Sequence, residues 1–181
     1  MINKQLNLVI PVDIKDTSGW VHSTPISNEV FEKYFEPMSI ALERLGGNLV
    51  NAPKIAAFML KKVAKSLDEW DGSDGVENGL MNEIRRLTNV IMPSDAGWQT
   101  IPYYTAIQRG MLEQADIQEI DGAIVFFTLA YAVYGSKRMA MIFPILERWG
   151  GQSQSLSCTA FTDSLPTLTE ADSFTNQAIM L

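Results

Sequence analysis

The sequence predicts a mainly α fold: a single helical domain with a small N-terminal β-hairpin and a flexible C-terminal tail. Three observations predict it. Residues 113–135 (EQADIQEIDGAIVFFTLAYAVYG) are apolar on nearly every side from Ala123 to Tyr134, which marks either a central core helix or a membrane span. Several other segments repeat apolar residues at helical spacing, whereas short β-branched runs are confined to the region before Ser27. After residue 151 the composition turns to Ser and Thr with little periodicity. The expected layout is a helical domain over residues 1–165, with the hairpin at about 6–23, and a loosely held tail over 166–181.

The elements follow in order. Leu6-Asn7-Leu8-Val9-Ile10-Pro11-Val12 reads as a strand, residues 13–19 as a turn, and Trp20-Val21-His22-Ser23 as the returning strand. Pro11 lacks the N–H a ladder needs, so it implies an edge or a bulge. Ser27 is the N-cap of a helix carrying Val30, Phe31, Tyr34, Phe35, Met38, Leu42 and Leu45; Pro37 should bend it and Gly46-Gly47 end it. Pro53 opens the next helix, whose expected apolar face is Ile55, Met59, Val63, Leu67 and Trp70. On its other side Lys54, Lys61 and Lys65 fall within about 40° of one another at 3.6 residues per turn.

Asp74 and Glu77 match a capping box before a helix bearing Leu80, Ile84, Leu87 and Ile91, closed by Pro93. Residues 94–102 read as a loop anchored by Trp98, followed by a short helix at about 103–109. The central helix has acids crowding its first half and Gly135 as a left-handed stop. Its dozen apolar residues fall short of the roughly 20 a bilayer needs, so no membrane is expected. Residues 137–149 give a last long helix, and a short one is expected near 159–165.

Composition narrows the function. A net charge of −7 argues against a nucleic-acid-binding face, which needs a basic footprint. One cysteine, Cys158, fits a reducing compartment. The start, MINKQLNLVIPV, lacks the pattern of a secretory signal. The expected location is the cytoplasm of the cell that makes the chain.

No motif supports catalysis. His22 is the only histidine and lies far in sequence from Cys158, with nothing local to orient a Cys–His dyad. Tetrahedral zinc needs more Cys and His ligands than this chain has. Residues 68–78 glance at a calcium loop, but from Asp71 the fifth position is Gly75 and the twelfth Asn82, so the pattern fails. Glu119 and Asp121 are explained by the helix dipole. No catalytic residue, cofactor or metal site is expected. The lysine stripe Lys54, Lys61 and Lys65 is the candidate partner-binding feature, against the alternative of a solvated face. Met38, Met59, Met81, Met111, Met139 and Met141 either fill the core or offer adaptable contacts. Trp20, Trp98 and Trp149 read as core or hairpin anchors.

Five segments, LNLVIPV (6–12), WVHSTPISNEVFEKYF (20–35), ENGLMNEIRRLTNVIMPSDAGWQTIP (77–102), VFFTLA (125–130) and WGGQSQSLSCTAFTDSLPT (149–167), together resemble a family from long-tailed, non-contractile bacteriophages. That family is similar in size and gene context to tail assembly chaperones, which lambda-like phages make in two lengths by ribosomal frameshifting. The resemblance implies a non-enzymatic protein of viral morphogenesis in the host cell cytoplasm. It would bind the tape-measure protein, keep it soluble and help recruit tail-tube protein, with self-association also open. The alternative is a structural virion protein such as a head–tail connector or tail-completion protein.

Overall fold

The computed structural model describes residues 5–14 and 17–168. It overturns the mainly α expectation. About 57 % of the described residues are helix and 19 % strand, and the strands form one five-stranded antiparallel sheet in the order β4-β3-β2-β1-β5. The expected hairpin is its centre: β1 (Asn7–Ile14) pairs with β2 (Thr17–Ser23) from Leu8↔Ser23 to Ile14↔Thr17. Pro11 is at an edge, because β5 (Gln152–Gln154) pairs only with Asn7–Val9.

The unforeseen part is a second hairpin, β3 (Thr88–Ser94) and β4 (Gly97–Pro102), turning through Asp95 and Ala96 into Gly97 at φ +104°. The helix expected to reach Ile91 stops early: a π-type turn (Glu77–Met81) leads into α4 (Asn82–Arg86), and the chain then extends. Residues 88–91, Thr-Asn-Val-Ile, are weak helix formers that suit a pleated surface. The open edge of β2 takes them, pairing Trp20↔Ile91 to Ser23↔Thr88. The Thr88 hydroxyl seals this junction, donating to the Ile84 carbonyl at 2.8 Å and meeting Ser23 Oγ at 2.9 Å.

The helices mostly cover one sheet face. Ser27 caps α1 (Asn28–Lys33) as expected, its Oγ accepting from Val30 N–H. The bend expected from Pro37 is a break at Tyr34, φ −112°, before α2 (Phe35–Leu45). Proline at 37 cannot donate back one turn, so a continuous helix is lost there. A 3₁₀ stretch (Gly46–Asn51) leads into α3 (Ala52–Ser66). After β4 come α5 (Tyr103–Gln108) and α6 (Gln114–Tyr134), the central helix, with a Glu113/Asp116 capping box and Gly135 at φ +72°.

Residues 120–130 of α6 are buried, and Phe126, Phe127 and Leu129 have no exposed surface, as expected. By length and composition α6 could cross a membrane. Here its middle is enclosed, chiefly by α3 and α2. A Cβ at Gly122 would collide with the Pro53 carbonyl, so glycine lets α3 and α6 approach closely. A 3₁₀ stretch (Ser136–Met141) and α7 (Phe143–Glu147) follow, in place of one long helix over 137–149.

The opposite sheet face is covered by α8 (Cys158–Ser164), where a short helix was expected. Phe161 packs on Val9 and Ile91, flanked by Trp20, Trp98 and Leu165. The expected loose tail over 166–181 begins within the described residues, where Trp98 Nε1 donates to the Pro166 carbonyl at 2.8 Å. From residue 169 onward, including the apolar 177–181, it lies outside them.

Candidate functional site

The lysine stripe is real, and it has an aromatic beside it. α3 turns Ala52, Ala56, Leu60, Val63 and Ala64 inward, so Ile55, Met59 and Leu67, expected at the centre of its apolar face, are only half-buried at the margin. Small residues face α6 because the axes approach closely over Gly122. Opposite them Lys54, Lys61 and Lys65 are exposed, as expected. Phe58 lies within about 20° of Lys65 on the helical wheel and is 68 % exposed. Its spacing, four residues after Lys54 and three before Lys61, was the signal available in the sequence.

A groove of about 430 Å³ runs beside this face. Lys54, Ala57, Phe58 and Lys61 form one wall; Glu77, Met81, Arg85, Gln118 and Asp121 form the other, with Trp70 between. Lys65 does not line it, and Lys54 also borders a second cleft beside β1. Lys61 Nζ sits 5.2 Å from the centroid of the buried Trp70 ring, a cation–π contact. Among the described residues none of the three lysines makes an ion pair.

Arg85 and Asp121 of that wall belong to a polar network that sequence reasoning missed. Asp121 does more than complement a helix dipole. Its carboxylate takes Arg85 through Nη2 and, at 3.3 Å, through Nε. The Tyr103 hydroxyl donates to Asp121 Oδ1 at 3.1 Å and approaches the Ile117 carbonyl at 3.3 Å. Burial first, and then the Asp121 charge, push the Tyr103 phenol far above its ordinary value, so it stays a neutral donor. With a carboxylate matched by a guanidinium and a phenol, the network braces α4, α5 and α6 together.

The other candidates sit elsewhere. α8 brings Cys158 to the sheet face that carries His22, but the two are engaged separately. His22 Nε2 bonds the Leu156 carbonyl at 3.1 Å, while the Cys158 thiol contacts Thr100 and Thr162. Burial pushes that thiol up, away from the nucleophilic thiolate. Asp74 does not form the expected capping box: its carboxylate takes Lys33 Nζ at 2.7 Å, and that bond holds its pKa below the usual value. Among the described residues no three His, Cys, Asp or Glu side chains are grouped to hold a metal ion. Of the six methionines singled out, Met38, Met81 and Met139 are buried, Met59 and Met111 half-buried, and Met141 exposed. Most of them fill core.

No family model matches the chain, and neither a curated protein nor a solved structure matches it.

Proposed function

We propose that this chain is a non-enzymatic tail assembly chaperone of a long-tailed bacteriophage. It binds the tape-measure protein in the host cell cytoplasm, keeps that protein soluble and helps recruit tail-tube subunits. The observation that carries the reading is the exposed Phe58 set among Lys54, Lys61 and Lys65, beside a groove. An aromatic left in water on a helix whose other face is fully packed is suited to contact a partner. The resemblance of five sequence segments to the phage family supports the tape-measure protein as that partner. A net charge of −7 favours a soluble carrier.

Co-expression tests the reading. A phage tape-measure protein should partition into the soluble fraction when co-expressed with this chain and into aggregates without it. Mass spectrometry of purified virions should then find the tape-measure protein and not this chain. Failure to solubilise, together with presence in virions, replaces the chaperone by the structural reading, a head–tail connector or tail-completion protein.

A further inference from the structure

We infer that the groove beside α3 receives an acidic amphipathic helix. Its apolar stripe packs on Phe58 and the rim of Trp70, and its carboxylates meet Lys54 and Lys61. The inference deepens the proposed function, since it takes the α3 face to be where a client docks.

Charge selects the partner's sign. The groove holds three cations, Lys54, Lys61 and Arg85, and two carboxylates, Glu77 and Asp121. Arg85 and Asp121 neutralise each other, so neither selects a partner, and Lys54 and Lys61 remain against Glu77. Among the described residues Lys54 and Lys61 have no carboxylate partner, and Lys65 extends the same charge one turn further. On a chain of net charge −7 this is a local positive strip in an acidic surround. An acidic segment is repelled from most of the surface and attracted here, which fixes its orientation and speeds encounter.

Spacing selects a helix. Lys54, Phe58, Lys61 and Lys65 are separated by four, three and four residues, a straight ridge of about 16 Å at 1.5 Å per residue. A ridge at this spacing matches the groove of a second helix lying nearly along it. Phe58 is the apolar anchor near the centre of the ridge, flanked by charge, the layout in which an aromatic carries most of a contact's energy.

The test uses the full chain and two synthetic amphipathic helices of about five turns, long enough to be helical alone. Both carry Leu at i, i+4, i+7 and i+11; one is flanked by Glu and the other, in the same order, by Lys. The Glu peptide should bind, and its affinity should fall as salt rises. Phe58→Ala should weaken it about tenfold, the loss of one aromatic anchor. Lys54→Glu with Lys61→Glu and Lys65→Glu should abolish it, while the Gln versions leave weak, salt-insensitive binding. Circular dichroism of each variant confirms the fold. Equal binding of the two peptides, binding of neither, or Glu-peptide binding untouched by these substitutions overturns the inference. So does capture of the chain by vesicles of anionic lipid without peptide binding, which would make the ridge a membrane contact. The two readings fail differently. A Glu peptide that binds while the tape-measure protein stays insoluble sinks the chaperone and keeps the groove. A solubilised client with Phe58→Ala fully active does the reverse.

Discussion

The two faces of the sheet are covered in different ways. One lies under α2, α3 and α6, in a continuous core that runs from Leu8 and Val21 through Leu60 to Phe126 and Phe127. Among the described residues the other is covered by 155–168, and its apolar centre is Val9, Ile91 and Phe161. What the second face lacks in apolar depth it makes up with side-chain hydrogen bonds to the covering strap. Asn7 Nδ2 at 2.8 Å and His22 Nε2 at 3.1 Å share the Leu156 carbonyl, Trp98 holds Pro166, and Thr100 meets Thr162 at 3.1 Å. A typical net hydrogen bond contributes only about 0.5–1.5 kcal/mol, so the strap should open locally, well below the free energy of global unfolding.

The largest effect should come from the deep face. Phe127→Ala removes a ring that touches Tyr131 and Phe143, at centroid distances of 5.7 and 6.2 Å. It should cost about 3–5 kcal/mol in urea unfolding; a loss below 1 kcal/mol would show that the core tolerates the void. Asp121→Asn comes next, at about 3 kcal/mol, because Arg85 is left with an unmatched charge. The figure sits at the lower end since the Arg85 side chain keeps 28 % of its surface in water.

Phe161→Ala should separate the two faces. Amide exchange over residues 158–164 should quicken strongly while that of α6 stays slow. If both accelerate together, the strap and the deep core form one cooperative unit and the contrast between faces fails.

A smaller effect is pH-dependent. Burial holds the His22 imidazole below its ordinary pKa of about 6.5. Nε2 donates to Leu156, and among the described residues the buried Nδ1 has no hydrogen-bond partner for a second proton. The folded strap therefore favours the neutral ring. Its contribution is complete above about pH 6.5 and is lost as pH falls from there towards the lowered folded value. Protection factors of the strap amides, which remove the intrinsic pH dependence of exchange, should fall as the pH drops below about 6.5, and His22→Gln should flatten that fall. Least of all, reversing Lys54, Lys61 and Lys65 to Glu should barely move the unfolding midpoint, with Lys61 costing most, about 0.5–1 kcal/mol, through its contact with Trp70.

The same contrast explains what was legible in the sequence. Local signals read well: the Ser27 cap, the Gly135 stop, the first hairpin and the all-round apolar run of α6. The second hairpin was hidden because Leu80, Ile84, Leu87 and Ile91 satisfy a helical period, while Val90 and Ile91, both buried, serve opposite faces of a strand. Only the free edge of β2, a tertiary fact, decides between the two. In the site the lysines could be read from their spacing. Phe58 shares that spacing, but its exposure depends on how α3 is rotated against α6, and alanines count for little in a hydrophobic pattern. Arg85 and Asp121 are 36 residues apart, with no local signal joining them.

The placement of the four tryptophans gives each region its own optical signature. Trp20 stacks edge-on to Phe161 at 5.8 Å and Trp98 bonds Pro166, so this pair emits from beneath the strap. Trp70 lies under the Lys61 ammonium on the groove wall, and Trp149 donates to the Val50 carbonyl at 3.1 Å, away from both. Acidification should therefore shift the emission of Trp20 and Trp98 to the red and leave Trp70 unchanged. A helix seated along α3 should alter Trp70 and leave the strap pair dark to the event. With phenylalanine at the other tryptophan positions, each remaining indole becomes a separate fluorescent channel for one movement of the molecule.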